Sequence, residues 1–143
     1  PRSASVHLET FPSVAYLQAQ ELVAEWDRLM SVREQVNAAL EAKRQDKTIG
    51  NSLTARVLVS ASGPIATVLA RHQARLPMLF IVSELDLELG DTSGQDEVRV
   101  TVSKASGTKC DRCWRYVPAV SSTPETAGLC PRCEDALAGT THA

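Results

Sequence analysis

The 143-residue sequence predicts an α+β fold: a long amphipathic helix, a small mixed α/β unit with antiparallel strands, and a C-terminal zinc-ribbon-like unit built on four cysteines. Three observations predict it. Residues 14–46 contain no Gly or Pro and carry apolar residues at helical spacing. Leu85, Leu87 and Leu89 alternate with acids, and Val98, Val100 and Val102 alternate with Arg99 and Thr101, the period of half-buried strands. All four cysteines fall into two Cys-x-x-Cys pairs, Cys110/Cys113 and Cys130/Cys133. The divisions that follow are 1–50 for the helical part, 51–105 for the α/β unit, and 106–143 for the zinc unit with a flexible tail.

Residues 1–12 read as an extended lead-in, with Phe11-Pro12 restricting the backbone and Ser13 suited to cap the long helix. Leu22, Trp26, Leu29, Val36 and Leu40 share one side of that helix. Arg33 falls within the same stripe, and Lys43, Arg44 and Lys47 extend it, so the stripe is apolar first and basic afterwards. Two readings of Arg33 stand: contact with something anionic, or a bridge to a carboxylate on another element. Gly50 is the expected left-handed terminator.

Residues 52–60 follow as a strand, Ser62-Gly63-Pro64 as a turn with Pro64 opening a short helix, and Met78 to Val82 as either a helical turn or a strand. His72 is expected to pack or face solvent rather than ligate. The two alternating strands around Leu87 and Val100 are expected to pair, joined by a mobile polar loop over 90–97.

Composition narrows the classes. At 43% hydrophobic residues the chain can bury one modest core or two small ones, not a catalytic barrel. A net charge of −2 excludes a globally basic nucleic-acid binder and leaves only local patches. The longest apolar run, Leu76 to Val82, is too short to span a bilayer, no signal segment opens the chain, and a cytoplasmic location is expected. The start at Pro1 rather than Met is the expectation for a piece of something longer.

Each Cys-x-x-Cys can present two thiolates from a tight turn, and two such knuckles complete a tetrahedral set around one zinc ion. Disulfides would need an oxidising compartment and a cysteine-dense scaffold. A redox pair would follow a strand at a helix start and occur once, whereas here the motif is doubled among turn formers. Four thiolates leave no position open for water, so the zinc is structural, and its binding supplies about 10 kcal/mol or more of folding free energy.

The segment Trp26 to Glu41, followed by Lys43-Arg44-Gln45-Asp46-Lys47 and Ile49 to Ala55, resembles the anticodon-binding region of bacterial isoleucyl-tRNA synthetases. Ser5-Val6-His7-Leu8-Glu9 and Phe11-Pro12 resemble the lead-in to it. Ser103-Lys104-Ala105, Lys109-Cys110-x-Arg112-Cys113-Trp114 and Cys130-x-Arg132-Cys133 are similar to that family's C-terminal zinc domain. The resemblance implies a parent that joins isoleucine to its tRNA using ATP, with tRNA and the rest of the synthetase chain as partners. It also implies a monomer without a small-molecule site in this part, since the HIGH and KMSKS signatures and a phosphate loop have no counterpart here.

Under that resemblance the phosphate-contact candidates are Arg33, Lys43, Arg44 and Lys47 on the helix and Lys109, Arg112, Arg115 and Arg132 around the zinc. Trp114 either stacks an unpaired base or covers the zinc-bound sulfurs against Leu129. Two alternatives remain. A DNA-repair zinc finger would place an Arg in the hairpin between the cysteine pairs, yet 121–128 contains no Lys or Arg. A protein-interaction module would use the zinc unit as a docking plate.

Overall fold

A computed structural model describes residues 5–8, 10, 13–14 and 19–139. Three strands form the central sheet: β1 (Ala55–Ser62), β2 (Glu84–Leu89) and β3 (Glu97–Lys104). The order is β2-β1-β3, with β1 parallel to β2 and antiparallel to β3. The two alternating strands therefore do not pair with each other. The strand between them is β1, whose Ala55, Val57, Val59 and Ala61 are buried, while β3 exposes Glu97, Arg99, Thr101 and Ser103 and β2 keeps Glu84 and Asp86 half-buried and Glu88 exposed, as suits edges. The loop 90–96 is long enough to step across that strand. It is also anchored: the Gly63 N–H donates to the Asp91 carbonyl at 2.7 Å, and Asp96 Oδ1 accepts the Ile65 N–H at 2.7 Å.

Helix α1 (Gln20–Gln45) lies against β3 and α2. It starts at Gln20 with Ala19 at the cap position, so Ser13 is not its cap; Ser13 and Val14 are non-helical, and 15–18 lie outside the described residues. Its buried face is Leu29, Val32, Val36 and Leu40, which places the core under the C-terminal half. Leu22 and Trp26, expected on the same buried stripe, are exposed; α2 reaches this part of the helix through its C-terminal end, with the His72 ring 6.2 Å from that of Trp26, without burying either residue. The left-handed residue after α1 is Lys47 (φ 61°) rather than Gly50. There the Lys47 N–H bonds the Arg44 carbonyl, while Asp46 accepts from Lys43 Nζ and the Thr48 N–H. These bonds, led by that from Lys43, hold the Asp46 carboxyl down at about 2.

Helix α2 (Pro64–His72) carries Ile65, Val68 and Leu69 inward, with Pro64 in its first turn. Gly63 precedes it at φ 81°, where a Cβ would sit 2.4 Å from the Gln95 carbonyl oxygen, so only glycine fits. His72 Nε2 meets Glu25 Oε1 at 2.5 Å and Arg71 meets the same carboxylate, joining α2 to the exposed half of α1. Those partners, His72 first, hold the Glu25 carboxyl below its ordinary range. A 3-10 turn leads to α3 (Leu76–Leu79), which resolves the open reading of Met78 to Val82 as helical at its start. One apolar cluster runs through α1, the sheet, α2 and α3, across residue 50.

The zinc unit follows as β4 (Thr108–Lys109) paired with β5 (Tyr116–Val117), then α4 (Pro131–Leu137). Residues 140–143, most of the expected flexible tail, lie outside the described residues.

Candidate functional site

The first knuckle is the turn between β4 and β5. The Trp114 N–H bonds the Cys110 carbonyl and the Cys110 N–H bonds the Arg115 carbonyl, both at 2.9 Å, which reverses the chain over Cys-x-x-Cys. Closing it puts Trp114 at φ 65°. In the second knuckle, Pro131 opens α4 immediately after Cys130, and the first turn of that helix brings Cys133 back beside Cys130. Gly128 lets the knuckles meet: at φ 80° its missing side chain leaves room for Asp111, whose N–H donates to the Gly128 carbonyl at 3.0 Å.

All four Sγ atoms lie within 4.8 Å of one another, and Cys113 and Cys130 stand 3.8 Å apart. A tetrahedral ion with zinc–sulfur bonds of about 2.3 Å requires sulfurs separated by about 3.8 Å. The set therefore fits one structural zinc, and the thiols are free rather than paired as disulfides.

The local electrostatics favour thiolates at part of the set. At Cys110 burial raises the thiol, but N–H groups of Cys113, Cys130 and Arg112 outweigh it and bring the group to about 6. At Cys113 burial again raises it, and the Arg115 N–H together with the Arg132 guanidinium hold it net below the ordinary thiol range. Burial pushes Cys130 up to about 12, so the last proton there leaves only when a cation takes its place. Arg112 also reaches Cys133 Sγ at 3.8 Å. Around the sulfurs only Val117, Val120 and Leu129 add apolar packing.

Trp114 is not part of that packing. It is 61% exposed, with Lys109 Nζ 5.3 Å from its ring centroid. The other predicted contact residues divide by what they already hold. Arg33 Nε donates to the Leu79 carbonyl at 3.1 Å rather than to a carboxylate, and an Arg115 Nη donates to the Val82 carbonyl at 2.6 Å. Lys43 pairs with Asp46, and Arg44 pairs with Glu41 and Ser52. Arg112 and Arg132 face sulfur, while Lys47 and Lys109 are exposed. Arg33 of the helix and Arg115 of the first knuckle thus each end on a carbonyl at or just beyond the end of α3, those of Leu79 and Val82.

No sequence pattern points to the joint between the zinc unit and the sheet. Ser83 Oγ donates to the Leu53 carbonyl and accepts the Tyr116 N–H at 2.7 Å, and Glu84 accepts the N–H and hydroxyl of Ser106 at 2.8 Å. These bonds span twenty residues or more, and no local pattern encodes them.

Residues 107–136 match the family model described as a zinc finger found in FPG and IleRS. Nearly all of the chain aligns with the isoleucine–tRNA ligase of Carboxydothermus hydrogenoformans, at 40% identity over 95% of this chain. The chain is a homologue of part of the isoleucine–tRNA ligases. The ligase of Geobacter sulfurreducens is likewise 40% identical over 94% of the chain, and that of Thermotoga petrophila 43% identical over 84%. The chain spans 13–15% of the length of these ligases. Among the described residues no helix is long and apolar enough to cross a membrane.

Proposed function

We propose that this chain is a tRNA-contacting module of a cytoplasmic isoleucine–tRNA ligase, reading the anticodon region while the ATP-dependent joining of isoleucine takes place elsewhere in that enzyme. The observation that carries the reading is Trp114, a large aromatic held outward by a metal-fixed turn with a lysine over its ring. A rigid exposed ring beside cations suits an unpaired base and its phosphate. Lys109 and Lys47 then supply phosphate contacts, and Arg112 and Arg132 add positive field around the knuckles while steadying the sulfurs. Arg33, Lys43, Arg44 and Arg115 contribute through whatever donors their internal bonds leave over.

The test is binding of the zinc-loaded chain to isoleucine tRNA beside a valine tRNA at two salt concentrations, with Trp114→Ala in parallel. Preferential, salt-sensitive binding that weakens by about 1–3 kcal/mol in Trp114→Ala, with zinc content unchanged, is expected. Equal affinity for the two tRNAs and for the variant would defeat the reading.

A second reading, docking onto the rest of the ligase, is favoured by the exposed Leu22, Val23, Trp26 and Met30 on α1. It assigns the two ends of the molecule different partners: protein for the early half of α1, RNA for the knuckles.

A further inference from the structure

Among the described residues the two apolar clusters share no member, so no common core sets the angle of the zinc unit to the body. Its orientation rests on polar bonds to one short stretch, Val82-Ser83-Glu84, at the entry to β2. Tyr116 donates to Ser83, Ser106 donates to Glu84, and Arg115 donates to the Val82 carbonyl at 2.6 Å.

Arg115 ties the metal turn to the body through three groups of one residue. Its N–H supports the Cys113 thiol and its carbonyl accepts the Cys110 N–H at 2.9 Å, so its backbone belongs to the first knuckle while its guanidinium belongs to the body. The anchor at the far end is firm. Val82 is fully buried, its N–H bonds the Pro77 carbonyl at 3.0 Å, and Arg33 of α1 holds the Leu79 carbonyl of the same turn. A planar, permanently charged guanidinium on a part-buried carbonyl makes a strong, directional bond. Two bonds from consecutive residues, Arg115 to Val82 and Tyr116 to Ser83, fix rotation as well as position. Trp114 directly precedes them, with its ring exposed. Arg115 itself is half-buried, whereas Lys109, Arg112 and Arg132 are exposed, so it is the knuckle cation least placed to meet a phosphate.

We propose that Arg115 is chiefly a positioning residue: its bond to Val82, more than any donor that bond leaves over, locks the first knuckle to the body and presents Trp114 at one fixed angle. This rests on the tRNA reading above, which supplies what Trp114 is presented to.

Arg115→Met keeps the apolar stem and removes the bond. The zinc-loaded parent, Arg115→Met, Trp114→Ala and the double variant are compared for zinc content and for isoleucine tRNA affinity across a salt series. Residual dipolar couplings of parent and Arg115→Met are recorded without RNA. In the parent the couplings of body and zinc unit fit one alignment; in Arg115→Met those of the zinc unit shrink and depart from it, with zinc unchanged. Affinity falls about fivefold in Arg115→Met, yet less than about twofold where Trp114 is already Ala, and the salt slope stays that of the parent. A slope smaller by about one, with the same loss in both backgrounds, would make Arg115 a phosphate contact and overturn the positioning role. Lost zinc in Arg115→Met would overturn it by placing the residue's work in the metal turn. Couplings that stay on the body's alignment while tRNA still binds would overturn it and leave the tRNA reading standing. Responsive couplings in a parent chain that binds no tRNA would remove the tRNA reading, and with it the use of the clamp, while leaving the clamp itself.

Discussion

The α/β body and the zinc unit lie side by side in one chain yet are stabilised by different physics. In the body, α1, α2, α3 and the sheet bury Leu29, Val36, Val57, Leu69, Phe80 and their neighbours in a continuous apolar cluster. In the zinc unit the buried residues of the cluster are Cys110, Cys130 and Cys133, with a few half-buried apolar side chains around them. Apolar burial supports the first at roughly 25 cal/mol per Å². Metal coordination supports the second, because its strands are two residues each and its helix is two turns. The difference teaches that the two parts should fail separately and for unrelated reasons.

The sharpest way to break the comparison is at the metal. Cys110→Ser removes one of the four ligands, and about 10 kcal/mol of zinc-linked folding energy is at stake. Zinc content should fall and amide protection from 108 to 137 should collapse, while the helical circular dichroism of α1 and the melting of the body remain near those of the parent. Near-parent zinc content in that variant would mean that three thiolates suffice and that the unit has another source of order.

The converse cut is in the body. Leu69 is fully buried on α2, and Leu69→Ala should cost about 2–5 kcal/mol through lost burial and the cavity left behind. Zinc stoichiometry at room temperature should not change. A joint loss of zinc and body stability would show one cooperative unit instead of two.

How far the sequence went follows the same division. Cysteine spacing specified the zinc unit because ligand geometry is local: each knuckle is closed by bonds between near neighbours, so Cys110, Cys113, Cys130 and Cys133 and the metal were legible. Periodicity announced α1, α2 and the two alternating strands, and a β-branched run announced β1, which begins at Ala55 after a 3-10 turn over Ser52–Thr54 instead of at residue 52. Periodicity carried the buried stripe too far toward the start of α1: Leu22 and Trp26 lie within the helix yet remain exposed, Trp26 with the His72 ring 6.2 Å away. Burial on a helix is decided by its neighbour, not by its own pattern. Strand order was likewise illegible, because alternation tells which face is wet but not which strand is central. The left-handed sites were missed for a third reason: Gly50 is the residue best suited to one, yet the bonds of Asp46 and Arg44 fix the turn at Lys47.

The joint between the two parts gives the smallest effect and the finest discrimination. Ser83 serves both sides with one hydroxyl, donating to Leu53 in the body and accepting from Tyr116 in the zinc unit. Ser83→Ala leaves a partly buried carbonyl and N–H without their partner, a cost of about 1–3 kcal/mol. Because neither the sulfur cluster nor the apolar cluster contains Ser83, zinc content should stay close to that of the parent and the melting of the body should fall less than in Leu69→Ala. The Tyr116 amide should exchange faster and cleavage near 105–107 should increase, as Arg115 and Glu84 are left to hold the zinc unit in place. Unchanged protection at Tyr116 would show that the bonds of Arg115 to Val82 and of Glu84 to Ser106 fix the joint by themselves. The separation of body and knuckle would then be bridged by charge-assisted contacts, with the hydroxyl only following the geometry they impose.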